Sequence, residues 1–218
     1  SIISDNIYDT TQATTGNVVT LYFTANEEIT TPTVEFKSGS VSINDTSITY
    51  TNTDNVNNIW SAAYEVSSSD TDGDVSYTIQ CTDLTGNSTT ISSVNSDNTV
   101  SIDITAPTIT AISTISNKGS YKEGEIIYIG IAFDKAISVT GSTIYPFIKL
   151  NPTGTALTYA SYNSNMDDNV SNTIYMTYTV EANQTTDQLN IFSVTPFDTT
   201  NSTIIDSIGN NADLTLPS

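Results

Sequence analysis

Histidine is absent from this 218-residue chain, cysteine occurs once, and only five residues are basic. Each shortage excludes something. Without histidine there is no Ser-His-Asp set and no Cys-His pair, and zinc and copper lose their commonest ligand. With Cys81 alone, no intramolecular disulfide forms, and its place in the alternation Val75, Tyr77, Ile79, Cys81 reads as a small buried hydrophobe. No apolar run approaches the ~20 residues of a membrane helix, so no direct membrane insertion is expected. A glycine-rich phosphate loop is missing, and helical periodicity is almost missing. No secretory signal is visible, and the first residue is Ser1, which fits a processed chain or a fragment of a longer one.

What is present is acid. The chain holds 24 acidic residues, giving a formal net charge of −19. Such a surface repels phosphate, so no nucleic acid partner is expected, nor an anionic membrane surface. The hydrophobic fraction is 37%, low for a globular chain, but the apolar residues are gathered into short alternating runs. That favours a folded β-protein over disorder. The acids fall mostly in the turns between those runs, and loop carboxylates are what hard cations bind.

Period-2 runs recur every 8–15 residues or so, as in a sandwich or barrel. Strands are expected near Val18–Thr24, Thr33–Phe36, Ser47–Thr51, Ile59–Val66, Val75–Thr82 and Val100–Ile102. The second half is expected to repeat the plan at Ile126–Phe133, Ile144–Leu150, Thr155–Tyr162, Thr173–Val180, Asp187–Val194 and Leu214–Leu216. The segments Ile2–Asn17 and Ser88–Asn98 have poor strand patterns. Two signals recur at a spacing of roughly 110–120 residues, suited to tandem sandwiches. One is Gly16…Phe23…Glu28-Ile29 and then Gly124…Phe133-Asp134…Ile137. The other is Asp83-Leu84-Thr85-Gly86-Asn87 and then Asp206-Ser207-Ile208-Gly209-Asn210. Between them Pro107 pushes Ala106 into an extended conformation, which makes a short stiff connector. The expected domains are 1–104 and 105–218.

The order and spacing of several motifs resemble the tandem immunoglobulin-like (Ig-like, cadherin-like) repeats of large prokaryotic cell-surface proteins and adhesins. They include Val19-Thr20-Leu21-Tyr22-Phe23-Thr24-Ala25, Trp60-Ser61-Ala62-Ala63-Tyr64, Asp70-Thr71-Asp72-Gly73-Asp74, and Asp103-Ile104-Thr105-Ala106-Pro107. In the second half they include Tyr121-Lys122-Glu123-Gly124-Glu125 and Phe133-Asp134-Lys135-Ala136-Ile137. The resemblance implies an all-β chain of two tandem Ig-like Greek-key β-sandwich domains, extracellular, with calcium often at domain junctions. The connector departs from the usual repeat, reading Asp-Ile-Thr for Asp-Thr-Thr, and Asp134 stands where Glu is common. Neither change removes an oxygen ligand.

In such a sandwich the loop after the strand Ile59–Val66, Ser67–Asp74, is expected to face the connector. Asp70, Asp72, Asp74 and Asp103 then lie near one another, and Asp134, Asp206 and Asn210 face back from the second domain. Crowded carboxylates repel unless a cation joins them. Ca²⁺ takes six to eight oxygens with loose geometry, so it is the expected ion. The plain alternative is that Asp72-Gly73 and Asp83…Gly86-Asn87 are turn formers only. A second acid set, Glu27, Glu28, Asp83 and Asn87, is placed at the pole where the chain enters.

Trp60 is expected in the core. Tyr159, Tyr162, Tyr175 and Tyr178 either pair across strands or form an exposed row that stacks on sugars. Paired acids hydrolyse glycosides when a cleft brings them together, but acids in turns signal no cleft, so no enzymatic activity is expected. The sequons at Asn44, Asn87, Asn169, Asn183 and Asn201 carry little weight in a chain so rich in Ser and Thr. The functional expectation is a structural or adhesive cell-surface module with a calcium-stiffened junction. Its partners would be neighbouring Ig-like domains or like subunits, or a surface glycan or protein ligand. Alternatives are a subunit of an extracellular filament or S-layer-like lattice built by strand exchange, and a carbohydrate-binding module.

Overall fold

Alternation in the sequence becomes alternation of burial. In Val18–Thr24, Val19 and Leu21 are buried while Tyr22 and Thr24 face solvent. Strands of this kind build the whole molecule. A computed structural model describes residues 1–54, 56, 58–92, 99–141, 146–152, 158–166, 171–192 and 197–217, and none of them is helical. The chain divides into two compact units, Ser1–Thr105 and Ala106–Ser218.

The first unit contains β1 (Ile2–Ser4), β2 (Gln12–Ala13), β3 (Val18–Thr24), β4 (Thr33–Ser38) and β5 (Val41–Ser42). It continues with β6 (Thr49–Asp54), β7 (Ile59–Glu65), β8 (Gly73–Thr82), β9 (Ser88–Ser92) and β10 (Ser101–Ile102). One sheet runs β1-β3-β7-β6; the other runs β2-β10-β8-β4-β5, with β9 also on β8. The pairs are antiparallel except β2 with β10, which is parallel. Val19, Leu21, Ala62 and Tyr64 of the first sheet share a core with Val34, Phe36, Val75 and Ile79 of the second. Two sheets on one core make a β-sandwich. Phe36 and Tyr64 meet with ring centroids 4.7 Å apart. Each such side chain contributes about 1.5–3 kcal/mol on burial.

Two glycines set the approach of the β4–β5 hairpin to the loop before β8. Gly39 sits at φ 53 and Gly73 at φ 136. A Cβ on Gly73 would lie 2.8 Å from the Gly39 Cα, and one on Gly39 2.6 Å from the Asp72 carbonyl oxygen. Only glycine permits that contact.

The second unit contains β11 (Ile109–Thr114), β12 (Ile126–Phe133), β13 (Ser138–Gly141), β14 (Phe147–Leu150), β15 (Thr158–Tyr162), β16 (Thr173–Thr179), β17 (Phe197–Asp198) and β18 (Ser202–Ile205). One sheet runs β11-β12-β16-β15-β14-β17, and a small one pairs β13 with β18. Ile129, Ile131, Ile174 and Met176 line the large sheet's inner face, and Ile137 and Ile204 join them in one core.

This unit does not repeat the first in full. β11-β12-β16-β15 matches β1-β3-β7-β6, but β14 then joins β15 in the same sheet, whereas β4 lies in the sheet opposite β6. Sequence pattern does not carry that choice, because an alternating strand can pair on either side of the core. Leu214–Leu216 forms no strand, and among the described residues of the expected strand Asp187–Val194 only an isolated bridge, Ile191 to Leu150, is present. The strands β1, β2, β5, β11, β13, β17 and β18 were not among those expected, and β9 lies in Ser88–Asn98, whose strand pattern is poor. Parts of several expected segments lie outside the described residues: 55, 57, 93–98, 144–145, 155–157 and 193–194.

Candidate functional site

The expected site residues are distributed between the units as follows. Asp70 lies in the β7–β8 loop and is only 7% exposed. Its Oδ1 accepts from the Asn44 amide at 2.7 Å and the Asn44 side chain at 3.1 Å, and its Oδ2 accepts from the Ser67 amide at 2.9 Å. The carboxylate thus fastens the segment after β5 to the β7–β8 loop. Asp72, two residues on, is exposed and reaches the end of the unit. Its Oδ1 accepts from the Ile104 amide at 2.7 Å, and its Oδ2 accepts from the Thr105 hydroxyl. Asp103 Oδ1 accepts from the Thr105 amide at 3.0 Å. The carboxylates of Asp72 and Asp103 therefore converge on Thr105. Asp74 is exposed, in register with Ser101.

In the second unit, Asp134 follows β12. Its two oxygens accept from the Thr108 amide at 2.8 Å and the Thr108 hydroxyl at 2.7 Å. These bonds, the amide first, hold its pKa below the ordinary carboxylate value. Asp206 follows β18 and is 4% exposed. Its Oδ1 accepts from the amides of Ile208 at 3.1 Å and Asn210 at 2.9 Å, and its Oδ2 from the Asn210 side chain at 2.9 Å. The Lys135 Nζ stands 3.7 Å from Asp206 Oδ2, which brings the turn after β12 beside the loop after β18.

The two Asp-x-x-Gly-Asn segments have one geometry. In each, the Asp amide donates to the Asn carbonyl and the Gly amide to the Asp carbonyl. Asp83 Oδ1 accepts from the amides of Thr85 and Asn87, both at 2.8 Å, and Oδ2 from the Asn87 side chain at 2.7 Å. Gly86 and Gly209 take φ of 96° and 99°, closing the loop. The Asn87 bonds, followed by those from Thr85, draw the Asp83 pKa down to about 2.

A wider pattern escaped the sequence reading. Acids in turns accept the amide two residues on, at Asp9, Asp45, Asp54, Asp83, Asp103, Asp198, Asp206 and Asp213. At Asp9, Asp198 and Asp213 the Thr at that position, its hydroxyl first, lowers the acid's pKa. These are Asx turns, in which the side chain imitates a backbone turn. The signal was legible as Asp-x-Thr in Asp9…Thr11, Asp83…Thr85, Asp103…Thr105, Asp198…Thr200 and Asp213…Thr215. Lys135, Asn44 and Thr108 were not foreseen as partners, because their acids lie far away in sequence.

Among the described residues, no three or more Cys, Asp or Glu side chains form a group able to hold a metal ion. Asp70 and Asp206 are buried, and their oxygens already accept from amides. Asp72, Asp74 and Asp134 are exposed and Asp103 is half-buried, although the oxygens of Asp72, Asp103 and Asp134 accept hydrogen bonds too.

Other expectations resolve by burial. Trp60 and Cys81 are buried. The four tyrosines form no common exposed row: Tyr162 and Tyr178 are 7% and 4% exposed and point into the core, while Tyr159 and Tyr175 sit on the other face. Strand alternation separates them. The side-chain amides of Asn44 and Asn87 are committed to Ser69, Asp70, Asp83 and Thr85. Asn183 and Asn201 are exposed, and Asn169 lies outside the described residues. Comparison with protein-family models, with curated proteins and with solved structures finds no match.

Proposed function

We propose that the chain is a structural and adhesive module of an extracellular surface protein, made of two tandem Ig-like Greek-key domains. The observation that carries this reading is the use of the acids. Most turn acids with defined contacts close on amides of their own turn, and Asp72 and Asp134 hold the chain on either side of Ala106 and Pro107. Side chains spent on holding loops shape a scaffold. The strand orders β1-β3-β7-β6 and β2-β10-β8-β4-β5, with their parallel β2–β10 pair, support the Ig-like assignment for the first unit.

Calcium belongs to the same proposal, with Asp72, Asp74 and Asp103 as its ligands in the first unit and the exposed Asp134 as one in the second. Bound at 100 times its dissociation constant, one ion adds about 2.7 kcal/mol of apparent stability. Scanning calorimetry with calcium and with chelator tests this, and identical melting curves remove the ion. Electron microscopy of the native material tests the architecture. Separate rods support a stalk or adhesin module; regular fibres or a two-dimensional array replace it with a lattice subunit.

A further inference from the structure

In the first unit an apolar groove of about 650 Å³ opens between the two sheets. One wall is the end of β3 and the turn after it, with Phe23 and Ile29; the other is Tyr77, Ile79 and Cys81 of β8 and Ile91 of β9. Beside it lies an open sheet edge. Among the described residues β9 pairs with β8 alone, and all five of its residues are exposed. The edge is Ser-Thr-Thr-Ile-Ser, without the charge, proline or bulge that normally blocks an edge from pairing.

Hydrogen-bond alternation says which amides are open. Asp83 donates to the Asn87 carbonyl just outside the hairpin. Counting inward, Thr89 and Ile91 are the residues bonded to β8, and Ser88, Thr90 and Ser92 turn their amides outward. An extended strand laid on β9 would take those three amides and place alternate side chains over the groove.

Charge selects the occupant. Glu27 and Asp83 line the groove and Glu28 adjoins it, on a chain whose formal net charge is −19. A second copy brings the same sign. We propose that β9 and this groove accept an extended strand from another protein, apolar on one face and carrying lysine or arginine where it passes Glu27 and Asp83. This deepens the adhesive half of the function proposed above and rests on it; the scaffold half is tested separately by microscopy and calorimetry.

The test titrates the isotope-labelled full chain with acetyl-Lys-Thr-Val-Thr-Val-Thr-Lys-amide and with its twin bearing Glu in place of Lys, followed by NMR. The expected result is shifts at Ser88, Thr90, Ser92, Ile79 and Phe23 with the Lys peptide, and binding weaker by about tenfold or more with the Glu peptide. Glu27→Lys should narrow that preference. Thr90→Pro deletes an outward donor without touching the β8 ladder, so it should abolish binding while the melting curve stays close to that of the parent. Three results would overturn the proposal: no shifts with either peptide, equal binding of both, or full binding by a folded Thr90→Pro variant. Concentration-dependent shifts at β9 without peptide, with dimers in sedimentation, would assign the edge to a second copy and overturn it too.

Discussion

Replacing Asp206 by alanine should cost the second unit far more than replacing Asp83 costs the first, although the two loops share one hydrogen-bond pattern. The difference is burial. Asp206 is 4% exposed, and its partners Ile208 and Asn210 are 8% and 7% exposed. Removing the carboxylate takes an acceptor from two amides and one side-chain amide where water reaches them poorly. A hydrogen bond to a charged group contributes about 1.5–3 kcal/mol, and bonds within one loop do not add fully, so the loss is about 4 kcal/mol. The Lys135 contact adds little, since the pair is 3.7 Å apart and Lys135 remains 28% exposed. For a unit of this size the melting temperature should fall by roughly 15 °C. In the Asp83 loop Leu84 through Ile91 are exposed, so water replaces the lost carboxylate and the change should be a small fraction of that. Scanning calorimetry of both variants, with calcium and with chelator, makes the measurement. Equal shifts in the two variants would refute the burial argument. A loss in Asp206→Ala that vanishes in chelator would show that the carboxylate acts through a bound ion instead of through amides.

Tyr64 buries a hydroxyl with no hydrogen-bond partner among the described residues, and burial, then the Asp70 charge, raises its pKa. Tyr64→Phe should therefore stabilise the first unit, by about 1 kcal/mol in denaturant unfolding; a loss of more than that would mean the hydroxyl is satisfied. The Asp83 pKa is depressed to about 2, so its loop bonds contribute fully above the ordinary Asp value of about 4 and are lost as pH falls from there through about 2. Carboxyl-carbon NMR should place the Asp83 midpoint near 2, and a midpoint near 4 contradicts the loop geometry. Asp72→Ala should speed amide exchange at Ile104 and Thr105 while leaving the β3–β7 ladder protected; unchanged exchange there would show that Asp72 does not hold the segment.

What could be read from the residues and what could not divides along sequence distance. Strands such as Val18–Thr24 and Thr173–Thr179 declare themselves because the two-residue period is written in neighbouring side chains. The Asp-x-x-Gly-Asn loops were visible as a repeat for the same reason: donor and acceptor lie four residues apart. Even the Asx turns were present as Asp-x-Thr, had that spacing been sought. Asp70 with Asn44, Asp72 with Thr105 and Asp134 with Thr108 were beyond reach, since those partners are separated by 26, 33 and 26 residues. So was the choice of β14 to extend the sheet of β15, and the open groove beside β9. A local pattern fixes which face of a strand is apolar. Which strand lies alongside, and which carboxylate meets which amide, is decided only when the chain closes around its cores.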